Sequence, residues 1–231
     1  MMIDYLIFTI SGTVEGLAMY IFVFALFCLP IRENMKLLVI SSILINLCSY
    51  QLRVADLAMV DVLIHVVLYI LFMWLMFEIP LIYSIILTIV MYVVLAVMQL
   101  GLIYPFHYLG FYRLDSLDET ILWGRLIQLL SAGCLIGISF FLHMKRLHFS
   151  FVPNHRHKRV RLEYENLYLL ILSITMLLLL AACIGFVALN NLYLYTTLLS
   201  IILVGLIGVF VYLAVKKDMQ HYGKGRLSRR R

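Results

Sequence analysis

Between Leu81 and Ile103 this chain carries no charged side chain, and the same is true from Leu167 to Ala188. Runs of about 20 apolar residues have the length of a helix that crosses a bilayer. Inside lipid a backbone must satisfy its own hydrogen bonds, which leaves helices or a closed barrel. Leu, Ile, Val and Met fill these runs without the two-residue alternation of a barrel strand, so the runs are helices. With 65% hydrophobic and 13% charged residues and a mean hydropathy of +1.05, a water-soluble domain of 231 residues could not hide the apolar surface. The expected fold is an all-α, polytopic transmembrane helix bundle.

Charge orders the spans. The basic residues collect in three places: Arg32 with Lys36, the stretch from Lys145 to Arg161, and the tail from Lys216 onward. Seven spans are expected, at 5–29, 37–50, 57–77, 81–103, 120–142, 167–188 and 192–215. With the N-terminus outside, fifteen of the eighteen basic residues are cytoplasmic, and only Arg53, Arg113 and Arg125 are external. The C-terminus is then cytoplasmic, with a sensor-like membrane domain at 1–215 and a basic exit helix or tail at 216–231. The localisation expected is a bacterial cytoplasmic membrane, crossed several times. No basic region precedes the first apolar stretch, so a cleaved signal peptide is not expected.

The formal charge of +6 lies beside spans, where it meets anionic lipid, and forms no face for nucleic acid. The four cysteines are expected within spans as small buried residues, none at metal-ligand spacing. Many of the fifteen tyrosines, including Tyr5, Tyr50, Tyr104 and Tyr164, fall at span ends and read as interface anchors. Pro30, Pro80, Pro105 and Pro153 fall at or beyond helix ends, which favours intact helices over the broken helices of carriers. No His-Glu-x-x-His, phosphate-loop or dinucleotide pattern is present, and the last span has no lysine for a retinal Schiff base. The chain is not expected to be an enzyme or to hold a metal or cofactor. His143, His148, His155 and His157 belong to a basic loop.

Polar residues in or beside the spans are the candidates for function. Glu15 lies midway through the first span, in Ser11-Gly12-Thr13-Val14-Glu15-Gly16, where a carboxylate must be protonated, paired or water-facing. It is read either as a helix-packing contact supported by small residues or as a ligand or signalling group. Arg53, Asp56, Asp61 and His65 form a second group. Asp61 and His65, four residues apart, share one helix face, with Arg53 available to neutralise an acid. They suit a polar seam near the outer end of the third span or an external pocket. His107, Arg113 and Arg125 flank the longest outer segment, where aromatic residues and charges alternate.

The last span leaves as Phe210-Val211-Tyr212-Leu213-Ala214-Val215-Lys216-Lys217-Asp218-Met219-Gln220-His221-Tyr222. With several apolar spans and tight turns before it, this layout resembles the N-terminal membrane sensor domain of Agr-type and competence-type peptide quorum-sensing histidine kinases. The resemblance covers about Met1 to Tyr222. It implies a receptor that binds an extracellular signal, a small peptide, at the outer loops and shifts its final span. It also implies a homodimer or a cytoplasmic or membrane signalling partner. The residues after Tyr222 leave no room for a kinase core, so His221 is not expected to be a phospho-acceptor. A small transporter or channel using the buried acids, or a non-catalytic accessory subunit, are the competing expectations.

Overall fold

The computed structural model describes residues 2–55, 57–108, 117–152, 164–188 and 193–228. Among them the chain forms an all-α bundle of seven helices: α1 (Met2–Leu26), α2 (Ile31–Val54), α3 (Ala58–Leu75), α4 (Leu81–Tyr108), α5 (Leu117–Lys145), α6 (Tyr164–Ala188) and α7 (Tyr193–Ser228). Five contain stretches long and apolar enough to cross a membrane: Tyr5–Leu26, Ile31–Val54, Leu81–Ile103, Gly124–Lys145 and Leu199–Met219. Asp61–Leu75 and Asn166–Ala182 are shorter apolar helical stretches. Leucine, isoleucine and phenylalanine cover the outside, among them Leu63, Phe140, Leu178 and Ile201. A surface of this kind suits lipid.

Several boundaries differ from those expected. The second helix is not short. It begins at Ile31 and includes Arg32 to Lys36, which the sequence reading assigned to a turn. Pro30 precedes it in an extended conformation, and the Asn34 side chain donates to the Pro30 carbonyl at 2.9 Å, closing the first turn. Pro105 lies inside α4 rather than beyond its end, because α4 continues to Tyr108. Its missing N–H removes one helical hydrogen bond from the last turn. Cys28 is in the turn after α1, exposed, and Cys134 is exposed on α5, so neither is the small buried residue expected.

α1, α3 and α5 end in the same way. Cys28, Glu78 and Arg146 each adopt a positive φ of 54° to 55°. The amides that follow bond back across the last turn: Leu29 to Phe24, Ile79 to Met73, and Leu147 to Leu142. These closures satisfy terminal carbonyls that helices otherwise leave open. All three face the same end of the bundle, where Phe24 meets Phe77 and Phe27 meets Phe149 and Phe151.

α4 is the central helix and packs against α1, α3, α5, α6 and α7. α1 lies between α2 and α5. Its glycines permit the close approach of α2 and make room for the Tyr69 side chain of α3: a Cβ at Gly16 would come within 2.6 Å of the Tyr69 hydroxyl, and one at Gly12 would overlap the Asn46 amide. Three buried polar residues of α2 bond to their own helix, Ser41 and Ser42 to the Leu38 carbonyl and Asn46 to that of Ser42. An aromatic core runs from Tyr20 and Tyr69 toward Phe24 and Phe77 at the end that the three closures face, filled in by Leu38, Ile45, Met73 and Ile86.

Candidate functional site

Glu15 sits where α1, α4 and α5 converge. Its Oε1 accepts from Gln99 Nε2 of α4 at 2.5 Å, and its Oε2 from Gln128 Nε2 of α5 at 3.1 Å. Gln128 turns its own oxygen to Arg125, accepting from Nη1 at 2.8 Å. The same Nη1 reaches the Ser11 hydroxyl at 3.4 Å, and Ser11 in turn donates to the Phe8 carbonyl. One amide thus stands between a guanidinium and a carboxylate. A carboxylate in the membrane interior requires such donors, because water cannot solvate it there.

A second arm comes from α2 and α3. Asp61 Oδ2 accepts from Ser49 Oγ at 2.8 Å and from Arg53 Nε at 3.1 Å. Asp61 is buried, while the Arg53 side chain is 51% exposed, so Arg53 caps the acid from the rim. His65 Nε2 faces the other carboxylate oxygen at 3.9 Å, beyond hydrogen-bond reach. The two arms meet on one ring: the guanidinium carbon of Arg53 is 4.9 Å from the centroid of Phe8, and that of Arg125 is 4.5 Å from it. Tyr50 packs edge-on against both Tyr5 and Phe8 and completes the apolar wall.

Five of the residues expected at a site are therefore in one region: Glu15, Arg53, Asp61, His65 and Arg125. Asp56 and Arg113 lie outside the described residues, as does the side chain of His107. Gln99 and Gln128, which hold Glu15, were not singled out in the sequence, although a glutamine within an apolar span is itself a signal. Several polar atoms close to these arms or below them are buried without a hydrogen-bond partner among the described residues: Asp61 Oδ1, His65 Nε2, Thr13 Oγ1, Thr88 Oγ1 and Tyr92 Oη. Buried polar atoms are normally satisfied, so this concentration marks a place for further polar partners.

A separate cluster occupies the other end of the bundle. Residues 147–152 tuck under the helices, burying Phe149, Phe151 and Val152. The Phe149 amide donates to the Leu26 carbonyl at the end of α1 (2.7 Å). Ser150 donates twice to Asp218 Oδ1 of α7, from its amide at 2.8 Å and its hydroxyl at 2.9 Å. The neighbouring Lys217 is 92% buried; its ammonium donates to Asn166 and Tyr83 and lies 4.2 Å from the Phe151 ring centroid. The sequence reading placed Lys217 in a basic exit helix or tail, without partners in the bundle. In the structure α7 runs unbroken past it to Ser228.

No group of three or more His, Cys, Asp or Glu side chains converges on a metal-sized site among the described residues. No protein family, curated protein or solved structure matches the chain.

Proposed function

We propose that this chain is a membrane sensor module. It binds an extracellular signal at the end that gathers Glu15, Arg53, Asp61 and Arg125, and it passes a change in helix packing to α7. All seven helices span the membrane in this reading, the N-terminus is outside and the exit of α7 is cytoplasmic. That orientation keeps the basic stretch Lys145–Arg161 inside. The resemblance to the sensor domains of peptide quorum-sensing kinases makes a small peptide the signal and a kinase region or cytoplasmic partner the receiver.

One observation carries the reading: α1 touches both clusters. Glu15 holds the outer network. Eleven residues on, about 16 Å along a helix, the Leu26 carbonyl holds Phe149, whose neighbour Ser150 holds Asp218 of α7. α4 repeats the pattern, with Gln99 on Glu15 at one end and Tyr83 on Lys217 at the other. A ligand that favours one arrangement of α1 and α4 then also favours one position of α7. The aromatic core favours this reading over a channel, whose path would have to run past the packed rings of Tyr20, Phe24, Tyr69 and Phe77. The role proposed is non-enzymatic.

The test uses the full chain in nanodiscs with its four cysteines replaced by alanine and Met219→Cys, an exposed position on α7, as a thiol-labelling reporter. Secreted peptide fractions from the producing organism should bind saturably and change the labelling rate, and Glu15→Gln should weaken both. Solute flux in liposomes with no change at position 219 would favour transport instead.

A further inference from the structure

We infer that the paired arginines on Phe8 form a carboxylate-binding subsite, and that the signal is an apolar ligand anchored there by a free carboxylate, such as the C-terminus of an apolar peptide. The inference rests on the sensor reading and names the chemistry of its ligand.

Arg125 is the key group. A half-buried guanidinium at the start of a span is stabilised by a counter-charge. The nearest candidate, Glu15, is separated from it by Gln128, which accepts from Arg125 and donates to Glu15. No carboxylate among the described residues lies within ion-pair distance of Arg125. Each guanidinium has five N–H donors. Among the described residues Arg53 directs only its Nε to a hydrogen-bond partner, Asp61, and Arg125 directs only Nη1, to Gln128 and Ser11. Both heads are held against the same ring, at 4.9 and 4.5 Å from its centroid. Two planar forks with donors to spare, held against one ring, suit a carboxylate.

The surroundings define the rest of the ligand. Beside the ring that the arginines share, Tyr50 packs edge-on against Phe8 at 5.7 Å and Tyr5 at 4.5 Å, an apolar wall for the body that bears the carboxylate. Arg125 points inward: it contacts Ser11, which is 3% exposed, and the buried Phe8. A lipid phosphate would sit on the periphery of the bundle, so this inward orientation favours a small carboxylate ligand that enters from the mouth.

The experiment uses N-acetyl-leucyl-phenylalanine and its C-terminal amide as probes, with the full chain in phosphatidylcholine nanodiscs and thermal unfolding followed by tryptophan fluorescence. The acid should raise the midpoint saturably and the amide should not. Arg125→Gln should weaken acid binding tenfold or more, and Arg125→Lys should fall between, since it keeps the charge and loses the fork. Arg53→Gln, at a half-exposed position, should weaken it too and gives a second reading if Arg125→Gln does not fold. Equal shifts from acid and amide, or undiminished binding in both glutamine variants, would overturn the subsite. So would phosphatidylglycerol nanodiscs that reproduce the whole shift with nothing added by the acid, since lipid would then be the occupant. Acid binding that leaves Met219→Cys labelling unchanged would preserve the subsite and sink the sensor reading.

Discussion

Asp218 receives two hydrogen bonds from a single residue, Ser150, at 2.8 Å from its amide and 2.9 Å from its hydroxyl. That pair ties the segment after α5 to the helix that leaves the bundle. Asp218→Asn keeps the shape and removes the charge that strengthens both bonds. The expected loss is about 1–3 kcal/mol. It should appear as faster amide hydrogen exchange across 147–152, with exchange in the middle of α4 unchanged. Equal protection in variant and wild type would mean that Phe149 and Phe151 hold the segment by themselves.

Glu15 accepts from two glutamine amides. Glu15→Ala leaves both without that acceptor. A destabilisation of about 2–5 kcal/mol is expected, read by thermal unfolding in nanodiscs. Glu15→Gln retains one acceptor oxygen and should lose less. A Glu15→Ala midpoint equal to that of wild type would show that water reaches the site.

Gly16 and Gly137 should behave oppositely on substitution by alanine. A Cβ at Gly16 would come within 2.6 Å of the Tyr69 hydroxyl, whereas one at Gly137 meets nothing within 4 Å. Gly16→Ala should cost about 1–3 kcal/mol through overpacking. Gly137→Ala should be neutral or gain up to about 1 kcal/mol from helix propensity. Unfolding midpoints of the two variants, measured side by side, decide the matter.

Arg53 and Asp61 should couple weakly. The acid is buried, but the arginine is 51% exposed, so solvent screens much of the attraction. A double-mutant cycle with Arg53→Gln and Asp61→Asn should return a coupling of about 1 kcal/mol or less. Asp61→Ala should cost more than Asp61→Asn, because Ser49 also donates to this carboxylate and the asparagine oxygen can still accept.

Glu78 offers a gain. It holds a positive φ of 55° to close α3, a conformation that glycine adopts without the Cβ penalty. Glu78→Gly should therefore raise the unfolding midpoint slightly, by a free energy of about 1 kcal/mol. A lowered midpoint would show that the Glu78 side chain contributes more than its backbone costs.

What the sequence determined by itself was local. Long uncharged runs require helices in lipid, and a period of 3.6 places Asp61 and His65 on one face, so the helical character of the chain and the shared face of that pair were legible. The ends of the helices were less so. Arg32 to Lys36 read as a turn because they are charged, yet a charged first turn ahead of an apolar run can equally be helix, and only the conformation at Pro30 decides where α2 starts. The partners of Glu15 lie 84 and 113 residues away, and Lys217 meets Asn166 and Tyr83 across 51 and 134. No local period encodes such pairings. They follow from which helices pack together and at what depth, and that is set by the fit of Gly12 and Gly16 against α2 and α3, the aromatic core around Tyr20, and the central position of α4. The tertiary structure thus converted a lysine in a basic tail and two glutamines in apolar runs into the buried ends of one connected bundle.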